Sequence, residues 1–385
     1  MSDFGGVRLD DTNAWLTANG WHQESEGRGG WMWLNAALDR QVGVVRNLGS
    51  DEQAQAGLVS RLAAAHNREV ADVERELQFW GVDVTYVRAA NDAVIADTIP
   101  LNAGAAMTES ARLMFRSAAS AALRLRPVIK GGYSKAGDAV ADSVRMGHTI
   151  KGSYIIPVEV RVGDAVPADD PGRDPDQEQL PGLETATTVE SLERRMTRTF
   201  AQAMAAVHEE IVQREKLPQG DALLRLVSQG VTAEFVDAVA RVLDHSAVAQ
   251  LDTTFQWAQA QSAPRDVRDT VAIPSAAKDK IRRTGVELRS GKVPRTEVFT
   301  GPVVRVTHEP EDSTTNFAIR TFRGGRLCRI EALTTISVAE VTQWMRDGTT
   351  VQLQGSVRRS GSGLYIPKAK VSALVHLPAQ MDLNS

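Results

Sequence analysis

"TEVFTGPVVRVTHEP", Thr296 to Pro310, is rich in β-branched and aromatic residues and has the look of a strand that ends near a proline. Similar segments follow it. "NFAIRTF" (Asn316–Phe322) and "RLCRIEAL" (Arg326–Leu333) read as further strands, and "SVAEVTQWMRDGT" (Ser337–Thr349) reads as a helix. "TVQLQGSVRRS" (Thr350–Ser360) and "GLYIPKAKVSALVHL" (Gly363–Leu377) then return to strand patterning around the Gly-rich turn in "RRSGSG". The order is strand, strand, strand, helix, strand, strand.

That order resembles the OB-type small barrel, whose plan places a helix between its third and fourth strands. The resemblance covers residues 293–377. It implies an OB-like C-terminal β-barrel and, as an expectation, a surface for single-stranded nucleic acid; no diagnostic binding motif accompanies it. The residues expected to form that surface are Arg358, Arg359, Tyr365, Lys368 and Lys370. Alternation along the strand puts Val357 and Arg359 on one face and Arg358 on the other. An arginine facing solvent could guide a phosphate backbone, and Tyr365 could stack on a base. Cys328, the one cysteine, excludes an internal disulfide and reads as a small strand residue.

The chain upstream has a different texture. Residues 1–92 are expected to form a small N-terminal αβ domain in which Trp31 and Trp33 alternate along a strand and help fill the core. In "SDEQAQAGLVSRLAAAH", Ser50 is the expected N-cap and Gln53 the return partner of a capping box. His66 reads as a surface residue. Residues 93–280 are expected to form a central helical αβ domain, interrupted at 164–190 by an acidic, Pro- and Gly-rich insertion. A helix is predicted over Thr108–Leu125, from the apolar spacing of Met114, Ala118, Ala121 and Leu125. Helical sequence resumes over 189–216, with Leu192, Met196, Phe200, Met204 and Val207 as its buried stripe and Ser191, Arg194, Arg195 and Arg198 as its polar surface. Two more helices are separated near Gly230, and Thr232 is a predicted N-cap. The fold class is therefore α+β: a mixed N-terminal and central αβ region, then the OB-like barrel.

"MGHTIKGSYIIPVEVRVG", Met146 to Gly163, is the one segment with a catalytic flavour. Gly147 is expected to end a short helix as a left-handed cap, and Pro157 argues for an edge strand or a bulge. His148, Lys151 and Ser153 at that junction could serve as acid-base group, anion contact and phosphate contact or nucleophile. The Gly-rich pattern of a P-loop is missing, so turn chemistry is the favoured account of the segment. "HEE" at His208–Glu210 lacks the second histidine of a zinc protease helix, since residue 212 is valine. Asp169, Asp170, Asp174 and Asp176 in the insertion do not have the spacing of a calcium loop.

Hydrophobic residues at 42%, charged residues at 24% and a net charge of -4 fit a globular protein with no general basic character. No run approaches the roughly 20 apolar residues that span a bilayer, so the expected location is cytoplasmic, without membrane contact. No metal or cofactor is implied. The function these features suggest is a noncatalytic, nucleic-acid-associated binding component of a multiprotein assembly, with a possible protein partner or homo-oligomer. Two alternatives stand beside it: a structural or regulatory protein-interaction subunit, and a hydrolase or other acid-base enzyme using the His148 segment.

Overall fold

The computed structural model describes residues 6–90, 99–150, 154–163, 166–167, 188–264, 267–290, 297–307, 314–323, 326–355, 357–360, 363–367 and 369–373. The chain divides into two compact units, one of residues 1–84, 159–162 and 256–263 and one of 85–158, 163–255 and 264–385.

The first unit begins with α1 (Leu9–Ala18), then β1 (His22–Glu26), β2 (Gly30–Asn35) and β3 (Arg40–Val45), and continues through α2 (Glu52–His66) and α3 (Val70–Gln78). The three strands form an antiparallel sheet in chain order. Its core gathers Trp15, Trp21, Trp33 and Trp80 with Val42, Val44, Leu58, Leu62 and Leu77, so these tryptophans are packing residues. Trp31 is half-buried beside this core, with the Arg46 guanidinium over its ring at 4.5 Å.

The α2 cap lies one residue beyond the expected Ser50. Leu48–Ser50 form a short 3-10 turn in which Ser50 Oγ donates to the Asn47 carbonyl, so the hydroxyl is already engaged. Asp51 caps instead, accepting from Ala54 N at 2.9 Å. Two later segments complete this unit. Arg161 pairs with Asp11 at 2.5 Å, and Ala258 N donates to the buried Asp83 carboxylate at 2.9 Å.

The second unit contains the latter part of β4 (Val82–Ala90), α4 (Leu101–Leu123), α5 (Lys135–Ser143), β5 (Arg145–Met146) and the first part of β6 (Tyr154–Arg161). Next come β7 (Val166–Pro167), β8 (Thr188–Val189), α6 (Leu192–Val207), α7 (Asp221–Ser228), α8 (Ala233–Leu243), β9 (Gln250–Gln256), β10 (Thr270–Pro274) and α9 (Lys278–Arg289). Strands β10, β9, β4, β6 and β5 form one sheet in that order. Helix α4 packs against α6 and α8, and α8 packs against α9.

The small residues that dominate α4 let these helices approach closely, and they account for its start at Leu101 rather than Thr108. Ala103, Gly104 and Met107 are buried, yet in this first part of the helix only Met107 is a large apolar residue on the packed side, too little to display a stripe in the sequence. Phe200 of α6 is the hub, stacked on Phe115 at 4.4 Å and edge-on to Phe235 at 5.6 Å and Phe255 at 6.1 Å. Thr232 caps α8 as expected, accepting from Phe235 N at 3.1 Å.

The last region contains β11 (Glu297–Thr307), β12 (Thr315–Arg323), β13 (Arg326–Thr334), α10 (Val338–Arg346), β14 (Thr350–Gly355), β15 (Arg358–Ser360), β16 (Gly363–Ile366) and β17 (Lys370–Ala373). The three strands before the helix and the helix position match the expectation, but each of the two strands expected after it is divided in two, and the OB-like barrel does not form. The sheet runs β15-β16-β13-β12-β11-β14-β17 and does not close. The reason lies in the pairing. The β15–β16 hairpin docks β16 parallel to β13, while β17 pairs with β14, so the late strands extend opposite edges instead of joining them. The nucleic-acid expectation thereby loses the fold on which it rested. One face of the sheet buries Phe317, Ile319, Ile330, Ala332 and Ile366 with Val341 of α10. Among the described residues, no helix is long and apolar enough to cross a membrane.

Candidate functional site

Residues directly paired across strands share a face of the sheet. Arg358 of β15 is opposite Tyr365 of β16, and Tyr365 is paired with Glu331 of β13. Glu331 is opposite Ala318 of β12, and Ala318 is opposite Arg305 of β11. A row therefore crosses the sheet: exposed Arg358, half-buried Tyr365 and Glu331, buried Ala318, exposed Arg305. The neighbouring register carries Leu364, Ile330 and Ile319, which belong to the packed face. Tyr365 thus has a ring anchored between strands and a polar tip, with a cation on one side and a carboxylate on the other.

The remaining expected residues are distributed differently. Arg359 is paired with Leu364 across the β15–β16 hairpin. Lys370 is exposed at the start of β17, opposite Gln354 and at the far end of the strand order from Arg358 and Tyr365. Lys368 lies outside the described residues. The structure brings Arg358 and Tyr365 together and separates Lys370 from them.

At the other candidate segment, His148 is exposed, between β5 and an isolated bridge joining Ile150 to Ile155. Lys151 and Ser153 lie outside the described residues, as do Asp169, Asp170, Asp174 and Asp176. Helix α5 ends at Ser143 with Val144 as an extended cap, so Gly147 is not the left-handed cap expected of it; its N–H donates to the Pro157 carbonyl at 2.9 Å. Pro157 sits in β6, which is next to last in its sheet and is flanked outward by the two-residue β5. Among the described residues, no group of three or more His, Cys, Asp or Glu could hold a metal ion.

The third constellation was not expected. Arg194, Arg195 and Arg198, read from sequence as a polar surface, are only 1%, 7% and 5% exposed. Met196, Phe200, Met204 and Val207 are buried as predicted while Leu192 is half-buried, but the helix is covered on the other side too, where Arg195 Nη2 reaches the hydroxyls of Thr300 and Thr321, each at 3.4 Å. Thr321 Oγ1 in turn donates to the Thr300 carbonyl at 2.8 Å. Arg198 holds both oxygens of Glu190. Burial draws the Arg195 guanidinium down to about 10, against the pull of Glu190, which leaves it charged at neutral pH. Burial pushes the Glu190 carboxyl up, but Arg198, with Arg195 and Arg194, outweighs it and holds the group below the usual carboxylate range. Beside them, burial raises the Cys328 thiol, partly countered by Arg323, Arg195 and Arg320. A raised thiol is a poor nucleophile, in keeping with a strand-packing role. This cluster ties α6 to β11 and β12. Its only sequence signal was the density of arginine in "ERRMTRTF", which is equally the signature of a solvated face.

Scans of protein-family models and searches of curated proteins and of solved structures return no match to this chain.

Proposed function

We propose that this chain is a noncatalytic binding subunit that receives a protein partner at the β15–β16 edge of its C-terminal sheet. The observation that carries this reading is the row Arg358–Tyr365–Glu331, which runs from the edge strand β15 through β16 to β13. Tyrosine and arginine are the side chains most often found anchoring protein interfaces, because each offers broad apolar contact together with directional hydrogen bonding. Glu331 favours a partner with a basic group opposite it and repels a polyphosphate at that point. The backbone of an edge strand such as β15 can also accept an added strand. We place this activity in the cytoplasm, a reducing compartment suited to the lone thiol of Cys328.

The test is isolation of the native assembly, followed by affinity measurement with wild-type, Arg358→Glu and Tyr365→Ala chains. Each substitution is expected to weaken capture of the same partner by roughly tenfold or more, the scale of interface anchors, with unchanged circular dichroism. Full-strength capture by both folded variants would remove the proposal. So would salt-sensitive oligonucleotide binding lost in both.

A further inference from the structure

His66, expected at the surface, is instead wired between two tryptophans at the end of α2. The Trp21 indole donates to His66 Nε2 at 3.0 Å. An indole N–H can only donate, so Nε2 must carry a lone pair and the neutral ring holds its proton on Nδ1. Trp15 stands edge-on to the imidazole with centroids 5.4 Å apart, and its own N–H goes to Glu76 Oε2 at 3.2 Å. Glu76 is gripped in turn by Arg68 at 2.9 and 2.6 Å. Both indoles are buried, and Asn67 in the left-handed region turns the chain immediately after His66, which fixes the ring at a closed helix end.

The elements packed around this ring contribute different groups. From α1 and the segment before β1 come the indoles of Trp15 and Trp21. The charged groups acting on the ring are Arg68, from the link to α3, and Glu76, from α3 itself. Arg68 opposes a positive imidazole and Glu76 favours one, but the Glu76 carboxylate is already shared between Arg68 and Trp15.

We propose that His66 is an acid-sensitive latch whose protonation at Nε2 removes the acceptor of Trp21 and loosens the α1–β1 connection from the end of α2. A proton taken from solvent converts Nε2 from acceptor to N–H, so that two donors face each other and the buried Trp21 N–H loses its partner. Burial first, then Arg68, against Glu76, lowers the basicity of His66 below its usual 6.5. A histidine that protonates less readily folded than unfolded adds stability that is complete above 6.5 and is lost as pH falls through the lowered folded value.

The test is a pH titration of the full chain carrying 15N-labelled histidine and tryptophan, from about pH 8 to about pH 5. Expected are the Nδ1–H tautomer of His66 at the upper end, a midpoint below 6.5, and a Trp21 indole resonance that follows the same curve. Trp21→Phe should move the midpoint upward, because it removes a bond made only to the neutral ring. His66→Gln keeps an acceptor that does not titrate, and its Trp21 resonance should stay flat. A His66 midpoint at or above 6.5 with an indifferent Trp21 overturns the latch, as does an unchanged acid step in His66→Gln. Should either variant fail to fold, the wild-type titration decides alone.

Discussion

Gly301 of β11 and Arg320 of β12 approach so closely that a Cβ built on Gly301 would stand 1.8 Å from the Arg320 carbonyl oxygen. No side chain can be accommodated there without displacing backbone. Gly301→Ala should therefore destabilise the C-terminal sheet by about 1–3 kcal/mol or more, as overpacked sites do. Urea unfolding followed by circular dichroism would detect this, and an unchanged midpoint would show that the two strands can part freely.

Phe200 provides a test at the helical core of the second unit. Its ring meets Phe115, Phe235 and Phe255 at once, so Phe200→Ala leaves a cavity that three aromatic neighbours cannot readily fill. The expected loss is about 3–5 kcal/mol, with Phe200→Leu costing distinctly less. Equal unfolding midpoints for the two variants would contradict the hub arrangement.

Glu210 supplies a pH dependence. Arg225 donates to its two oxygens at 2.8 and 3.1 Å, and Arg214 adds a bond at 3.1 Å. The Arg225 hydrogen bond, opposed by burial and supported by both guanidinium charges, holds the carboxyl below its usual 4.5. Its contribution is complete above 4.5 and is lost as pH falls through the lowered folded value. Glu210→Gln should thus be less stable than wild type at neutral pH, and the difference should shrink in acid. A difference that stays constant across that range would falsify the assignment.

Thr232 isolates a single cap. Its hydroxyl accepts from Phe235 N while the residue is fully buried, so Thr232→Ala deprives α8 of one bond and leaves a donor unmet. The expected cost is about 1 kcal/mol, largely restored by Thr232→Ser. Thermal unfolding of the three proteins would separate a capping effect from simple loss of volume, because serine keeps the oxygen without the methyl group.

These sites differ in how openly the sequence announced them. Thr232 was legible because a cap is a local matter, decided within four residues of the helix start. The strands of the C-terminal sheet were legible for a similar reason, through β-branched runs and the Gly-rich turn. Sheet closure was not, since it depends on whether β16 and β17 find each other or find β13 and β14, and strand composition does not encode that choice. The α6 arginines were misread for the converse reason. Their chemistry suits water, and only β11 and β12, about a hundred positions later in the chain, supply the hydroxyls that receive Arg195. His66 was hidden likewise, because its acceptor role exists only once Trp21 is beside it.

The composition of the first unit carries a consequence for synthesis. Residues 159–162 and 256–263 belong to it together with 1–84, and they bring Arg161 to Asp11 and the Ala258 N–H to Asp83. On the ribosome, the part of the chain made first must wait for these two late arrivals, and until they emerge the Asp11 and Asp83 carboxylates lack those partners. A nascent chain halted before Arg161 would have the residues of its Trp-rich core, all within 7–80, but not the guanidinium that pairs with Asp11. For this protein, the unit whose synthesis starts first cannot be completed until residue 263 has been made.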